Sequence, residues 1–134
     1  MSTLKTANIQ DTSGGNNSTP EQINQGRAKA WVNYDGSSGT AGQNDTTIRS
    51  SYNVSSVTNN SAGNYTVNFT NNMPNANYVA ICTGGNNAVG AEGSWVATYD
   101  NTTNTVSSVR VGTYTYTGSA DPTEQVYVVV FCED

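Results

Sequence analysis

From Ala28 onward the apolar side chains recur at every second position, the period of strands with one face buried. Ala28, Ala30, Val32 and Tyr34 share one side of the first such stretch, with Lys29, Trp31 and Asn33 on the other, until Asp35-Gly36 closes it. A Gly/Ser loop over residues 36–45 leads to a second stretch, 46–57, where Ile48, Tyr52 and Val54 alternate with Thr47, Arg49, Ser51 and Asn53. It reads as one strand with a polar face toward water. The turn signal Asn59-Asn60-Ser61-Ala62-Gly63 then joins it to Tyr65, Val67 and Phe69, alternating with Thr66, Asn68 and Thr70. This is the strongest hairpin signal in the chain.

Two later stretches lack a polar face: 77–83 (NYVAICT) and 125–132 (QVYVVVFC). Both predict central strands. Residues 94–99 and 105–117 read as further strands around the turn Asp100-Asn101-Thr102-Thr103-Asn104, and glycine-rich sequence fills 84–93. About seven short strands at regular turn spacing predict an all-β fold, an antiparallel β-sandwich or small barrel. One sandwich core accepts one face of each sheet, so the second apolar face of 126–131 or 78–82 needs another cover. A partner subunit is the simplest cover; a loop or the N-terminal arm is the alternative.

The first 18 residues have few apolar anchors, chiefly Leu4 and Ile9, and run into Ser13-Gly14-Gly15-Asn16-Asn17-Ser18. That composition predicts an extended arm which orders when Leu4 and Ile9 dock on a partner. A short helix follows, with Thr19 as N-cap, Pro20 first, Gln22 completing a capping box and Gly26 as the stop. The chain therefore divides into an arm and helix, 1–26, and a β-domain, 27–134.

Composition narrows the chemistry. Asn, Thr, Ser and Gly make up about half of the 134 residues; charged side chains are only 11%, and the net charge is −5. Without a clustered basic face, nucleic acid is not an expected partner. The absence of histidine removes Ser-His-Asp and Cys-His catalysis and the usual zinc ligands. The carboxylates Asp35, Asp45, Glu92, Asp100, Asp121, Glu124, Glu133 and Asp134 sit in turns or at the terminus among Gly, Ser, Asn and Thr. A catalytic pair needs an apolar pocket to raise one pKa, so no enzyme is expected, and no cofactor or metal. Gly84–Gly90 lacks the Gly-Lys-Ser/Thr ending of a phosphate loop, and Asp100–Asn104 lacks the glycine and terminal glutamate of a calcium loop.

The opening Met1-Ser2-Thr3-Leu4-Lys5 has no apolar leader core, and Val126–Phe131, the longest apolar run, is far short of a membrane span. Manufacture in a cytosol without membrane insertion is expected, with Cys82 and Cys132 as thiols packed among valine, isoleucine and phenylalanine. Trp31 points away from the apolar set of its strand; Trp95, Tyr114 and Tyr116 lie near the glycine loop or on one strand face. Such aromatics pack in cores, stack on sugars or fill subunit contacts.

The run Gln22-Ile23-Asn24-Gln25-Gly26-Arg27-Ala28-Lys29-Ala30-Trp31-Val32-Asn33-Tyr34, the segment 47–57 (TIRSSYNVSSV) and the segment 64–78 (NYTVNFTNNMPNANY) closely resemble a domain of tail-fibre and other virion proteins of bacteriophages, especially marine and cyanobacterial ones. The likeness covers 22–78 and returns in Val126–Phe131; the opening through Ile9-Gln10 and Ser13-Gly14 is similar to the starts of such proteins.

The resemblance implies a non-enzymatic virion subunit, often trimeric, assembled in the bacterial cytoplasm with other virion proteins. Its arm, with Leu4 and Ile9, would join the particle, and its β-domain would face outward. Loops 84–93 and 117–124, with Asn86, Asn87, Glu92, Trp95, Tyr114 and Tyr116, would reach a host surface glycan or protein, and Trp31, Val126, Val128, Val130 and Phe131 would meet neighbouring copies. Many fibres are far longer than this chain. A short fibre, a tail-tip piece or a capsid decoration protein stabilising the head is therefore the competing expectation.

Overall fold

A computed structural model describes residues 5–15, 17–85, 95–99 and 104–133. Helix α1 (Pro20–Gly26) is followed by β1 (Ala30–Tyr34), β2 (Ile48–Tyr52), β3 (Val54–Ser61), β4 (Asn64–Phe69), β5 (Val79–Gly85), β6 (Trp95–Thr98), β7 (Ser108–Tyr114) and β8 (Gln125–Phe131). They form two four-stranded sheets, ordered β2-β1-β8-β5 and β3-β4-β7-β6, with every pairing antiparallel. The sheets pack face to face as an all-β sandwich. The capping box forms as read: Thr19 Oγ1 accepts from the Gln22 amide at 3.1 Å and Gln22 Oε1 from the Thr19 amide at 2.9 Å.

Between the sheets lie Ala30, Val32 and Tyr34 of β1, Val126, Val128 and Val130 of β8, and Val57, Tyr65, Val67, Phe69, Val109 and Val111 of the opposing sheet. Their parity is the period-two pattern of the sequence made physical. Tyr34 and Tyr65 meet edge to face at 5.4 Å, and Phe69 and Tyr78 at 5.8 Å. The Tyr65 hydroxyl donates to the Gly36 carbonyl at 2.5 Å and that of Tyr78 to the Ser108 carbonyl at 2.6 Å, so two large apolar rings enter the core with their polar ends satisfied.

Four expectations are corrected. The single strand expected over 46–57 is two strands in different sheets, because Asn53 takes a left-handed conformation, φ 55°, and turns the chain from one layer to the other. Asparagine tolerates that region and here also stitches it. Its Nδ2 donates to the Lys29 carbonyl at 3.0 Å and the Asn71 carbonyl at 3.1 Å, and its Oδ1 accepts from the Asn71 amide at 2.8 Å. Within β2 the register slips between Asn33 and Tyr34 of β1, so Ile48 stands opposite inward Tyr34 while Tyr52 stands opposite outward Trp31. A bulge inserts one unpaired residue and reverses the parity that the sequence alone implies.

β5, expected to be central, is an edge strand, with Val79 60% and Ile81 56% exposed. β8 is the central one, between β1 and β5. The stretch expected over 105–117 narrows to Ser108–Tyr114, because Thr105 and Ser108 bridge across a tight turn.

The β3–β4 hairpin forms, but its turn is tighter than the expected 59–63, since β3 continues through Ser61 and the chain closes through Gly63 at φ 68°, where a Cβ would lie 2.6 Å from the Thr113 carbonyl oxygen. Arg49 ties the loops at one end, donating to the Tyr34 carbonyl at 3.2 Å, the Glu124 carbonyl at 2.5 Å and Asp35 Oδ2 at 3.1 Å. The loop after β1 and the segment before β8 are thereby held together.

Candidate functional site

The two outer faces of the sandwich differ in chemistry. On the β3-β4-β7-β6 sheet the outward positions are amides and hydroxyls that bond to one another. Asn68 Nδ2 donates to Ser56 Oγ at 2.9 Å and Thr58 Oγ1 at 3.0 Å, Asn60 Nδ2 to Thr66 Oγ1 at 2.9 Å, and Arg110 Nε to Asn64 Oδ1 at 2.8 Å. The Arg110 guanidinium lies over the Tyr99 ring, 4.6 Å from its centroid. This face is tied to itself and compatible with water.

The other outer face is apolar. Directly opposed residues of antiparallel strands point the same way, so register assembles the face. Tyr52, Trp31, Val129 and Ile81 form one row across all four strands. Phe131 and Val79 form a row beside it on β8 and β5, and Ser50, Asn33, Tyr127 and Thr83 form the row on its other side. No Asp, Glu, Lys or Arg occupies these three rows, but Lys29, just before β1, borders them at the Phe131 end, with its Nζ donating to Asn24 Oδ1 at 2.9 Å. Tyr52 is 55% and Trp31 37% exposed, while Asn33, Tyr127, Val129 and Phe131 are half-buried among their neighbours. At the Val79–Phe131 end the surface continues into a groove rimmed by Gln25, Asn75, Asn77 and Glu133.

Of the residues expected at subunit contacts, Trp31 and Phe131 lie on this face. Val126, Val128 and Val130 do not: they are at most 1% exposed, inside the core. Alternation along β8 puts Tyr127, Val129 and Phe131 outside instead. Tyr52, Val79, Ile81, Tyr127 and Val129 were not singled out from sequence, because the parity of β8 follows from its pairing with β1, where Val126, Val128 and Val130 stand opposite inward Tyr34, Val32 and Ala30.

Among the expected receptor-facing residues, Tyr116 is 63% exposed in the turn after β7, and Tyr114 is half-buried with its hydroxyl end against Gly112. Asn86, Asn87 and Glu92 lie outside the described residues, as does Leu4; Trp95 opens β6. In the arm, Ile9 bridges to Ser18 and is 52% exposed, near Ile23 at 39%. Both cysteines are free thiols; Cys132 is buried and Cys82, opposite Val128, turns toward the core.

Burial governs the ionisable groups. It pushes the Tyr34 hydroxyl well above 10.0, raises Tyr65, moves Tyr78 up to about 12 and raises the Cys82 thiol from 9.0 to about 11. A thiol held protonated is a poor nucleophile and metal ligand. Asp45 is shifted the other way, below 3.8, chiefly because its carboxylate accepts the Thr40 amide at 2.8 Å. Among the described residues no three His, Cys, Asp or Glu side chains converge as a metal set, and no helix is long and apolar enough to cross a membrane. Comparisons with protein-family models, curated proteins and solved structures give no match.

Proposed function

We propose that the protein is a bacteriophage virion structural subunit of the tail-fibre or fibre-like kind that contributes to host attachment. The observation that carries this reading is the uncharged apolar row Tyr52–Trp31–Val129–Ile81 on the outside of one sheet, opposite an outer face of hydroxyls and amides. The largest apolar patch on a protein surface is often its interaction site, and a component of an assembly needs one. The segments that resemble phage fibre domains, 22–78, build α1, β1–β4 and the lead into β5, and so supply half of this row.

In this reading the arm with Leu4 and Ile9 docks on the particle, and the turns that carry Tyr116 and its neighbours face outward. Weak single contacts to a host surface then add through effective concentration when several copies are displayed together. The decisive experiment images particles carrying a tag on this chain and measures host-cell binding by the purified protein. Label on tail fibres together with binding is the expected result. Label on the head surface without binding would assign the chain to capsid decoration, and absence from the particle would overturn the virion assignment. Removing residues 1–18 should abolish incorporation; retained incorporation would reject the docking role of the arm.

A further inference from the structure

We infer that the outer face of the β2-β1-β8-β5 sheet is covered by the same face of a second copy. The two copies stack about a two-fold axis parallel to the strands, so the Tyr52–Trp31 half of one lies on the Val129–Ile81 half of the other. This rests on the reading of that face as an assembly surface and is independent of the virion assignment.

The chemistry of the rows selects the occupant. With no Asp, Glu, Lys or Arg in them, the face offers a charged partner no counter-charge and gives up little hydration when an uncharged face covers it. An anionic membrane is disfavoured, because the chain carries a net charge of −5 and the rows contain no basic residue to offset it. Two copies of the face meet neither obstacle, and the repulsion between their distant charges is screened beyond about 8 Å at physiological salt.

Size agrees. Strands about 4.8 Å apart with a rise of about 3.3 Å per residue, five residues long in β1 and β2 and seven in β5 and β8, give a footprint of about 380 Å² per copy, before side-chain relief and rim are added. Two such footprints give about 760 Å², so relief and rim must contribute for the contact to reach the about 1,000 Å² at which specific interfaces begin. Only a full face-to-face stack approaches the size of a small dimer, and a partial overlap falls short of it.

Shape fixes the axis. The row is bulky at one end, Tyr52 and Trp31, and smaller at the other, Val129 and Ile81. A two-fold axis parallel to the strands places β2 over β5 and β1 over β8, large against small, in the uniform gap of about 10 Å that stacked sheets keep. An axis perpendicular to the strands would set Trp31 on Trp31. A three-fold prism of sheets would close to acute corners over the edge strands, where Tyr52, Val79 and Ile81, all more than half exposed, need the most room.

The test uses full-length Tyr52→Lys and Ile81→Glu, both on exposed sites where the fold is not at stake. Far-ultraviolet circular dichroism and thermal midpoint serve as controls. Sedimentation equilibrium should show each variant alone dimerising at least about 100-fold more weakly than the parent, since each places two unpaired charges in the contact. An equimolar mixture should regain the dimer. At one of its two equivalent contacts the introduced ammonium faces the introduced carboxylate, and at the other native Tyr52 meets native Ile81. A monomeric parent, a trimeric parent, variants that dimerise normally, or a mixture that stays monomeric would each overturn the proposal. A monomeric parent found in tagged particles would reject this stack and leave the virion reading standing; a dimer absent from particles would do the reverse.

Discussion

Asn53 decides the layout with a single side chain. Its positive φ moves the chain from one sheet to the other, and its amide spans the end of the sandwich from Lys29 to Asn71. Asn53→Ala loses both the conformational tolerance and the hydrogen bonds and should cost about 2–3 kcal/mol. Asn53→Gly keeps the first and should cost about 1 kcal/mol less. Urea denaturation of the two variants checks the order; equal losses would reject the conformational role. The two core tyrosines make a second contrast. Tyr65→Phe should cost about 1–2 kcal/mol by orphaning the buried Gly36 carbonyl. Tyr34→Phe should be near neutral, since the Tyr34 hydroxyl has no hydrogen-bond partner among the described residues. Little of this was legible beforehand, because an asparagine between Tyr52 and Val54 fits a strand as well as a crossover, and only tertiary contacts choose.

At the scale of elements, β8 shows what a pattern can carry. Its identity as a strand and its doubly apolar character were plain from QVYVVVF, yet which valines faced the core depended on its neighbours. Pairing with β1 sets Val128 inside and Val129 outside. Val128→Ala should therefore cost about 2 kcal/mol, and Val79→Ala, on the open face of β5, less than about 0.5 kcal/mol in the unassociated chain. Similar losses would contradict the face assignment. β5 was misread as central because an edge strand destined for cover has the same sequence as an interior one. The β3–β4 hairpin was legible in its second strand and in its Gly63 turn, since Gly63 and the strict alternation of Tyr65, Val67 and Phe69 are local signals, whereas Asn59, Asn60 and Ser61, read as turn, belong to β3. Gly63→Ala, strained by φ 68° and by the nearby Thr113 carbonyl, should lower the thermal midpoint by several degrees.

For the whole molecule, the absence of histidine and the buried tyrosines set the response to pH. Tyr34, Tyr65 and Tyr78 hold their protons more tightly folded than unfolded, so their contribution is complete below 10.0 and is lost as pH rises through the folded values, about 12 for Tyr78. Cys82 adds an earlier loss, between 9.0 and about 11. Asp45, lowered from 3.8, contributes above that value and loses its contribution as the pH falls below it. Thermal midpoints of the chain should accordingly be flat from about pH 5 to 8, fall above about 9 and fall again in strong acid. A titration centred near neutrality would contradict this. The sandwich was legible from alternation and length. The residues that make up its apolar outer row were not, because they depend on one bulge at Arg49 and on which strands become edges.

The central claim is that the apolar outer face belongs between copies of this chain. Sedimentation equilibrium of the full-length protein over a wide range of concentration tests it most directly. A reversible species of twice the chain mass is the predicted result. A single-chain mass across the whole range would contradict it.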